Sequence, residues 1–392
     1  MTRSSAENCL TTDSGGDYSL DTQMTQSRGS GGQRILLASL LLLATAAQPV
    51  LAVTRYVAND GVDGPTCGAI AAPCRSISQA IANAHAGDTI NVGPGRYGDL
   101  NGNGTFGETG EETAPPACNC MIDIDRKLTL VSRDGALSTI LDASGSSLNA
   151  VVRIDANATV FGRPKAGFMT LGGNNGVLVP AAVNGGTIAG NFVTGNAGIG
   201  FSINGGTITL HDNLAIANVI GFSLNGTGTV MKNNFASLNS NRGFDINGSG
   251  HVLNGNIATN NNLIGFGVTL SSATSPVTDF SKNAALANGV SGILVSRQTF
   301  TGSASAALHS NNIFANGSLA ANCGLSIQND DGSQSLTVDA SGNFWGTAAA
   351  APGPDPADDA GGACNSTAGG AISLTTAPGV AKEVRVKLDL LK

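Results

Sequence analysis

The sequence has 392 residues, of which 54 are glycine and 12% are charged. An apolar fraction of 41% is enough for a large core, so the chain is not a disordered polymer, and its glycines lack the strict three-residue period of collagen. The net charge of −7 comes without a strongly basic stretch, so we expect no nucleic acid partner.

An apolar run near the N-terminus predicts a signal peptide. Residues 35–47 read ILLASLLLLATAA and follow two arginines. We predict that residues 1–52 are a leader cleaved after Ala52, which makes the mature protein secreted or attached to the cell surface. Met24 would give this leader a more usual start than Met1. The run is shorter than the ~20 residues that span a bilayer, so we expect no transmembrane span in the mature chain.

Region 53–120 predicts an N-terminal cap, a first strand and an insertion loop. Residues 76–86 place apolar side chains on one face of a helix, and Ser76 with Gln79 forms a capping-box pattern. Residues 88–92 form the candidate first strand. We expect the helix to cover a strand edge that would otherwise invite aggregation.

The loop at residues 99–111, DLNGNGTFGETGE, has the oxygen spacing of a calcium-binding loop. Polar oxygens alternate from its first residue, and a glycine stands sixth, where a loop of the EF-hand type turns sharply. The twelfth residue is glycine instead of an acid. The predicted calcium ligands are Asp99, Asn101, Asn103, Thr105, Glu108 and Glu111. The alternative is a plain turn-rich loop without a cofactor.

Cysteine spacing predicts disulfides. The chain beyond the leader contains Cys67, Cys74, Cys118, Cys120, Cys323 and Cys364. An even number in an exported protein favours disulfides. Cys67 and Cys74 enclose a short loop and form the first predicted pair, and Cys323 with Cys364 forms the second. A cysteine-rich metal site is the alternative, although His85 is the one histidine near a cysteine in sequence.

Segments of similar sequence repeat through the middle of the chain. Phenylalanine recurs at intervals of 21, 22 and 22 residues, at Phe201, Phe222, Phe244 and Phe266. In each repeat an apolar residue follows the phenylalanine two positions later, a second short strand follows, and a third begins after an asparagine. Strands this short cannot bury a face within one repeat, so they must stack. Residues 121–356 therefore predict an all-β solenoid, a right-handed parallel β-helix.

Asparagines form two columns in these repeats, five residues apart. The pairs are Asn191 with Asn196, Asn213 with Asn218, Asn234 with Asn239, Asn256 with Asn261, Asn283 with Asn288, and Asn311 with Asn316. We interpret them as hydrogen-bonded ladders at left-handed corners, in preference to a comb that binds carbohydrate. The phenylalanines are interpreted as interior stacking, in preference to a platform for sugar rings.

The ends of the repeat region resemble those of pectin-lyase-like right-handed β-helix proteins. Residues 56–97 contain a Tyr-Val strand, a Gly/Asp-rich turn, a helix and a Gly-Asp-Thr-Ile strand that ends in Pro-Gly-x-Tyr, in the order common to that superfamily. Residues 121–132 resemble its next coil, and residues 343–346 with 352–354 resemble its closing coil. The resemblance implies the fold alone, because the superfamily includes lyases, hydrolases, epimerases and adhesins.

Charged residues are rare in the repeats, so the few that occur are candidates for a site. The candidate catalytic residues are Lys232, Arg242, Asp245 and His251. Lys232 or His251 would act as a base, and Arg242 would hold a uronate carboxylate. Scattered solvated side chains are the alternative. The paired aspartates of polygalacturonases and the acidic calcium cluster of pectate lyases do not appear in the regular repeats, which disfavours an enzyme.

Two functional hypotheses follow. The leading one is an exported, noncatalytic protein whose β-helix flank binds a glycan or a cell-surface partner. The other is a polysaccharide lyase or glycoside hydrolase of the pectin-lyase-like group, assisted by calcium and acting on an acidic polysaccharide. Residues 357–392 are predicted to form a C-terminal cap and a final strand.

Overall fold

The computed structural model describes residues 51–113, 115, 118–317, 323–346, 365–366, 370–376, 380 and 383. The apolar run of the predicted signal peptide, Cys364 and most of the predicted C-terminal region lie outside these residues. Within the described ranges, no helix is long and apolar enough to cross a bilayer.

Three long sheets make up the structure, and all their strand pairs are parallel. Sheet 1 contains Thr54–Val57, Thr89–Val92, Thr129–Ser132, Thr159–Phe161, Gly186–Ala189, Thr209–His211, Val230–Lys232, His251–Asn254 and Val277–Ser281. Sheet 2 contains Gly95–Gly98, Thr139–Asp142, Met169–Leu171, Phe192–Thr194, Leu214–Ile216, Phe235–Ser237, Ile257–Thr259, Ala284–Leu286 and Asn312–Phe314. Sheet 3 contains Cys120–Ile124, Ala150–Ile154, Asn175–Val179, Ile199–Ile203, Ile220–Leu224, Arg242–Ile246, Ile264–Leu270, Ser291–Arg297, Leu325–Asn329 and Asn365–Ser366. A short fourth sheet contains Ala304–Ala307, Leu336–Asp339 and Ile372–Thr375.

Each coil passes through the three sheets in a fixed order. Ile199–Ile203 in sheet 3 is followed by Thr209–His211 in sheet 1 and Leu214–Ile216 in sheet 2, and then the next coil begins. The register pairs Phe201 with Phe222 in the next coil. The chain is therefore the right-handed parallel β-helix that its repeats predict.

The coils are shortest in the middle of the β-helix and become longer from there toward the C-terminus. The two strands Ile264–Leu270 and Ser291–Arg297 have seven residues each, whereas Ile199–Ile203 has five. The separation between successive ladder asparagines grows in parallel, from 21 residues between Asn213 and Asn234 to 28 between Asn288 and Asn316. Sheet 3 is consequently widest at these two strands, and it narrows again at Leu325–Asn329 and Asn365–Ser366.

The phenylalanine column lies in the core, as predicted. The rings of Phe201, Phe222, Phe244 and Phe266 are fully buried and stack with centroid separations of 4.7, 4.8 and 4.6 Å. Their planes deviate from parallel by only 4, 6 and 9°. Stacked rings of this kind add attraction beyond the burial of their area. These residues do not form a platform for sugar rings.

The two asparagine columns are buried hydrogen-bond ladders. Asn234 is fully buried, and its Nδ2 donates to Asn256 Oδ1 at 3.0 Å and to the Leu210 carbonyl at 3.0 Å. Its Oδ1 accepts both the backbone N–H of Asn213, at 3.1 Å, and the Asn213 side-chain amide, at 3.0 Å. Each rung therefore satisfies both backbone and side-chain groups of its neighbours, which confirms the ladder interpretation.

The left-handed corners do not coincide with the ladder asparagines, so that part of the prediction is wrong. Positive φ occurs one residue earlier, for example at Asp212 (56°), Ala217 (57°), Asn233 (53°) and Leu238 (55°). The physical reason is the direction of the asparagine side chain, because a ladder amide must point inward to reach the amide of the next coil. The strained backbone is carried by the preceding residue, which is half-buried or exposed.

The helix is shorter than predicted and spans Ile77–Ala82. The Ser76 hydroxyl accepts from the Gln79 backbone N–H at 3.2 Å, as a capping box requires. The reciprocal bond is absent, because the Gln79 side chain donates to Asn83 and the Ser76 N–H donates to Asp63. The buried Glu112 carboxylate accepts the N–H groups of Ile77 and Ser78, each at 2.8 Å, and burial raises its pKa.

Disulfides stabilise the N-terminal region. Cys67 and Cys74 are bonded, as predicted. Cys118 and Cys120 form a second bond that the sequence analysis did not predict. These four sulfurs form two disulfide bonds. The alternative prediction of a metal site built from these cysteines is therefore wrong. Cys323 is also disulfide-bonded, and its predicted partner Cys364 lies outside the described residues.

An arginine is buried at the end of a sheet 3 strand. Arg297 is fully buried, and its Nη2 donates to the carbonyls of Phe300 and Gly302, both at 2.8 Å. Its guanidinium lies 4.2 Å above the centre of the Phe300 ring, and Nη1 lies 2.9 Å from Asp331 Oδ2. Hydrogen bonds from Arg297 and Ser333 lower the pKa of Asp331 to about 2. A buried charge of this kind requires its partner.

Replacing a ladder asparagine will destabilise the fold far more than replacing a solvent-facing one. Asn234→Ala leaves the buried Asn213 N–H without its partner and removes a hydrogen bond to the Leu210 carbonyl, and we expect it to lower the free energy of unfolding by about 3 kcal/mol. Asn225→Ala, at an exposed position of sheet 3, should cost less than about 0.5 kcal/mol. Urea titrations of both variants measure the difference, and equal losses would contradict the ladder's role.

The Arg297–Asp331 pair will make stability depend on pH in the acid range. Because the folded-state pKa of Asp331 is depressed from 3.8 to about 2, its contribution is fully present above pH 3.8 and is lost as pH falls through about 2. We expect Asp331→Asn to lower the melting temperature at pH 7, with the difference from wild type narrowing below pH 3.8. The exposed neighbour variant Asp330→Asn is the control, and a similar loss there would contradict the assignment.

Candidate functional site

The outer side of sheet 3 presents rows of like residues, here called the sheet 3 face. Residues between the core positions of each strand point outward. One outward column, here the serine column, runs in register through Asp123, Arg153, Leu178, Ser202, Ser223, Asp245 and Gly267. Two serines are adjacent in the middle of the column, and Asp245 separates them from Gly267.

Asparagines line one side of the serine column. Asn204, Asn225 and Asn247, here the asparagine row, are exposed or half-buried, unlike the ladder asparagines. Nδ2 of Asn225 donates to Asn204 Oδ1 at 3.0 Å, and Nδ2 of Asn247 donates to Asn225 Oδ1 at 3.2 Å. Asn225 also donates to Ser223 Oγ at 3.3 Å. The row is a preordered line of amides that faces solvent.

Half-buried aliphatic residues and one arginine line the other side. This row contains Ile199, Ile220, Arg242 and Ile264 in register. The Arg242 guanidinium extends over the serine column, because its Nη1 donates to Asp245 and lies 2.8 Å from where a Cβ of Gly267 would stand. The face therefore combines amides, small hydroxyl residues and an aliphatic edge.

The four candidate catalytic residues do not form one site. Arg242 and Asp245 form an ion pair on the sheet 3 face. Lys232 is exposed on sheet 1, between His211 and Asn254 of the neighbouring coils. The structure thus brings together two of the four and separates Lys232 from them.

His251 is a buried structural residue, so its assignment as a base is wrong. Its side chain is fully buried, Nε2 lies 2.7 Å from the Asn247 carbonyl, and Nδ1 accepts the Thr229 N–H at 3.1 Å. These partners place the proton on Nε2. Burial lowers the pKa of His251 and keeps the ring neutral. No nitrogen remains for a substrate.

A cleft opens at the N-terminal end of the sheet 3 face, here the N-terminal cleft. It has a volume of about 350 Å³ and lies between the helix and the first strand of sheet 3. Its walls contain Ser78, Gln79, Ile81, Ala82, Thr113, Pro115, Asp123, Asp125 and Arg126. Since Asp123 also heads the serine column, the cleft is continuous with that column.

Among the described residues of this cleft, Asp123 is the carboxyl that is not held in an ion pair. Asp125 is held by Arg126 at 2.7 and 2.9 Å, and Asp155 is held by Arg153 at 2.7 Å. Asp123 Oδ1 is buried and has no hydrogen-bond partner. Burial raises the pKa of Asp123, the nearby carboxylates of Asp155 and Asp125 raise it further, and the charge of Arg153 on the next coil opposes them. Perturbed carboxyls in clefts are frequent at functional sites.

Asp123 was not among the site residues predicted from the sequence, although a pattern pointed to it. In the segment MIDIDR, Asp123 and Asp125 alternate with buried isoleucines, which predicts that both side chains face outward. The burial of one carboxylate and the pairing of the other depend on the helix and on Arg126, and the alternation does not contain that information.

The predicted calcium loop is folded around its own hydrogen bonds. The buried Asp99 carboxylate accepts the N–H groups of Gly102, Asn103 and Gly104 at 2.6, 3.3 and 2.5 Å. Asn101 Oδ1 accepts the Asn103 N–H, and Asn103 Oδ1 accepts the Thr105 N–H.

The acidic residues of the loop do not converge in this conformation. Glu108 accepts from both asparagine amides, Asn101 and Asn103. Glu111 Oε1 accepts the Leu100 N–H at 3.0 Å, and its buried Oε2 has no partner. Among the described residues, the two groups of three acidic or sulfur ligands that converge lie elsewhere and include bonded cysteines. Calcium binding therefore stays a prediction, and it would require Glu108 to release its amides.

Taken together, the coil order, the ladders and the stacked core define a right-handed parallel β-helix of the pectin-lyase-like fold. The solved structures similar to this chain include the A-module of mannuronan C-5 epimerase AlgE6 from Azotobacter vinelandii, with a TM-score of 0.51 and 19% identity over 68% of this chain and 70% of that one. Pectate lyase Pel9A is similar with a TM-score of 0.49 and 16% identity, over 84% of this chain and 78% of that one. A rhamnogalacturonan lyase is similar with a TM-score of 0.47 and 15% identity, over 84% and 86%. No protein-family model and no curated protein matches the sequence. At such identities the likeness shows the fold alone.

Calcium will bind weakly if the loop 99–111 is a calcium site. Because two carboxylates must exchange hydrogen bonds for the ion, we expect a Kd on the order of 10⁻³ M, typical of extracellular modules. Calorimetric titration of the wild type and of Glu111→Gln tests this, since the variant should lose the heat of binding. The absence of heat in the wild type at millimolar calcium would contradict the prediction.

Proposed function

We propose that this is an exported, noncatalytic protein that binds a polysaccharide along the sheet 3 face. The observation that carries the proposal is the asparagine row beside the serine column, since it presents amide groups to solvent in register, whereas Ser202 and Ser223 are buried beside it. Such groups are the donors and acceptors that pair with the hydroxyls of a sugar. The aliphatic edge on the other side, from Ile199 to Ile264, suits the apolar faces of sugar rings.

The geometry favours a polymer over a small molecule. Outward groups recur on successive coils at the strand spacing of about 4.8 Å. Each coil offers a similar set, so a chain of repeating units can make the same contact several times. The gain from such repeated contacts does not require a deep pocket, because the effective concentration of each further unit is high once the first has bound.

The chemistry of the face favours binding over catalysis. None of the described sheet 3 strands contains a histidine, lysine or tyrosine. Arg242, the predicted carboxylate clamp, is already paired with Asp245. Elimination or hydrolysis needs a positioned base or acid within hydrogen-bond reach of the reacting atoms. The lyase or hydrolase hypothesis is retained as the alternative, with Asp123 as its available carboxyl.

Export is part of the proposal. The predicted leader supports it, and so do the disulfides Cys67–Cys74 and Cys118–Cys120, because such bonds persist in oxidising compartments. The proposed location is the cell surface or the medium.

Retention on immobilised polysaccharides will test the function. We expect the exported protein to be retained by at least one polymer, without release of unsaturated products or new reducing ends. The triple variant Asn204→Ala, Asn225→Ala, Asn247→Ala should bind about tenfold or more weakly, because three polar contacts are removed.

The matched control is Asn260→Gly, an exposed asparagine that follows a sheet 2 strand and has a φ of 53°. It should bind as the wild type does. Failure of every polymer to retain the protein would contradict the binding role, and accumulation of products would favour the enzyme.

A further inference from the structure

The charges of the sheet 3 face are paired, with one exception. Arg153 is bonded to Asp155, Arg242 to Asp245 and, beside the cleft, Arg126 to Asp125. These pairs leave no arginine whose charge is uncompensated among the described residues of this face. Asp123 remains as a carboxyl with a buried oxygen and no partner.

This charge balance argues against an acidic ligand. A polymer of uronic acids would have to displace an aspartate from each arginine in order to gain a charge-assisted bond. It would also bring its carboxylates toward Asp123, and like charges at close range are unfavourable. The electrostatics of the face suit a neutral or positively charged chain.

We propose that the N-terminal cleft binds an amino sugar of the polysaccharide, with its free ammonium group on the Asp123 carboxylate. This inference rests on the proposed function and names the class of ligand. The cleft's volume of about 350 Å³ is at the small end of the range for ligand sites, which suits one sugar residue.

The walls of the cleft match the two sides of such a residue. Ile81, Ala82 and Pro115 offer apolar contact to the carbon face of the ring. Gln79 and Thr113 provide polar side chains for its hydroxyls, whereas the Ser78 hydroxyl is already bonded to Glu112 and to the Thr113 N–H. The half-buried Asp123 carboxylate lines the cleft and would accept from an ammonium ion placed there.

The position of the cleft connects it to the rest of the face. Asp123 is in register with Arg153 of the next coil, and the serine column continues from there. A chain that lies along the column would therefore place one residue in the cleft. Burial raises the pKa of Asp123, and a bound ammonium group would favour its charged form again.

Paired oligosaccharides test the inference. We expect a glucosamine oligomer with free amines to bind the wild type about tenfold more tightly than the same oligomer fully N-acetylated, the ratio expected for one partly buried ion pair. The preference should decline as salt is added. Polygalacturonate oligomers should bind more weakly than either.

Asp123→Asn should abolish the preference. The affinity for the free-amine oligomer should fall about tenfold, and the affinity for the N-acetylated oligomer should not change. Its melting temperature should not fall, because the substitution removes an uncompensated charge. Asp134→Asn, at an exposed aspartate paired with Arg133 outside sheet 3, is the matched control and should keep the preference.

The outcomes separate the two proposals. Equal affinity for the two oligomers, a preference that survives Asp123→Asn, or tighter binding of polygalacturonate would overturn the amino-sugar inference and leave polysaccharide binding in place. Retention of no glycan of any kind would overturn the proposed function itself, and the inference with it.

Discussion

The structure depends on the register that places each coil directly over the one before. Parallel pairing gives every inner strand two hydrogen-bonded neighbours, so backbone groups are satisfied from coil to coil. The same register sets Phe201 on Phe222 and Asn213 on Asn234. A slip of one residue would turn the phenylalanines outward and break both ladders. The interior therefore enforces a single alignment.

That alignment also organises the exterior. The residues between the core positions form columns, because the register of the core residues also fixes which outward residues are neighbours. Ser202, Ser223 and Asp245 line up because Phe201, Phe222 and Phe244 do. A linear surface of repeated polar groups is thus a by-product of interior packing.

Periodic features could be predicted from the sequence because they repeat. The phenylalanine column, the asparagine ladders and the three strands per coil each occur many times, so a single misleading residue carries little weight. The Cys67–Cys74 pair was predictable because a short loop brings the two residues together. Such features are set by local spacing and by the stacking that follows from it.

Single contacts between distant residues could not be predicted in this way. Arg297 is buried because Phe300, Gly302 and Asp331 surround it, and the sequence around Asp331 indicates only a turn. His251 has the sequence environment of a surface residue, yet a corner between sheets 3 and 1 encloses it. Asp123 differs from the other outward aspartates because the helix packs beside it and forms a cleft there. These three depend on tertiary neighbours, which one sequence does not display.

The lengthening of the coils gives the sheet 3 face two dissimilar ends. One end opens into the N-terminal cleft, and toward the other end the strands Ile264–Leu270 and Ser291–Arg297 reach seven residues. A polysaccharide also has two dissimilar termini, one reducing and one non-reducing. Its two orientations on the protein are therefore inequivalent, so the face is a polar track on which a ligand would settle in one sense of direction.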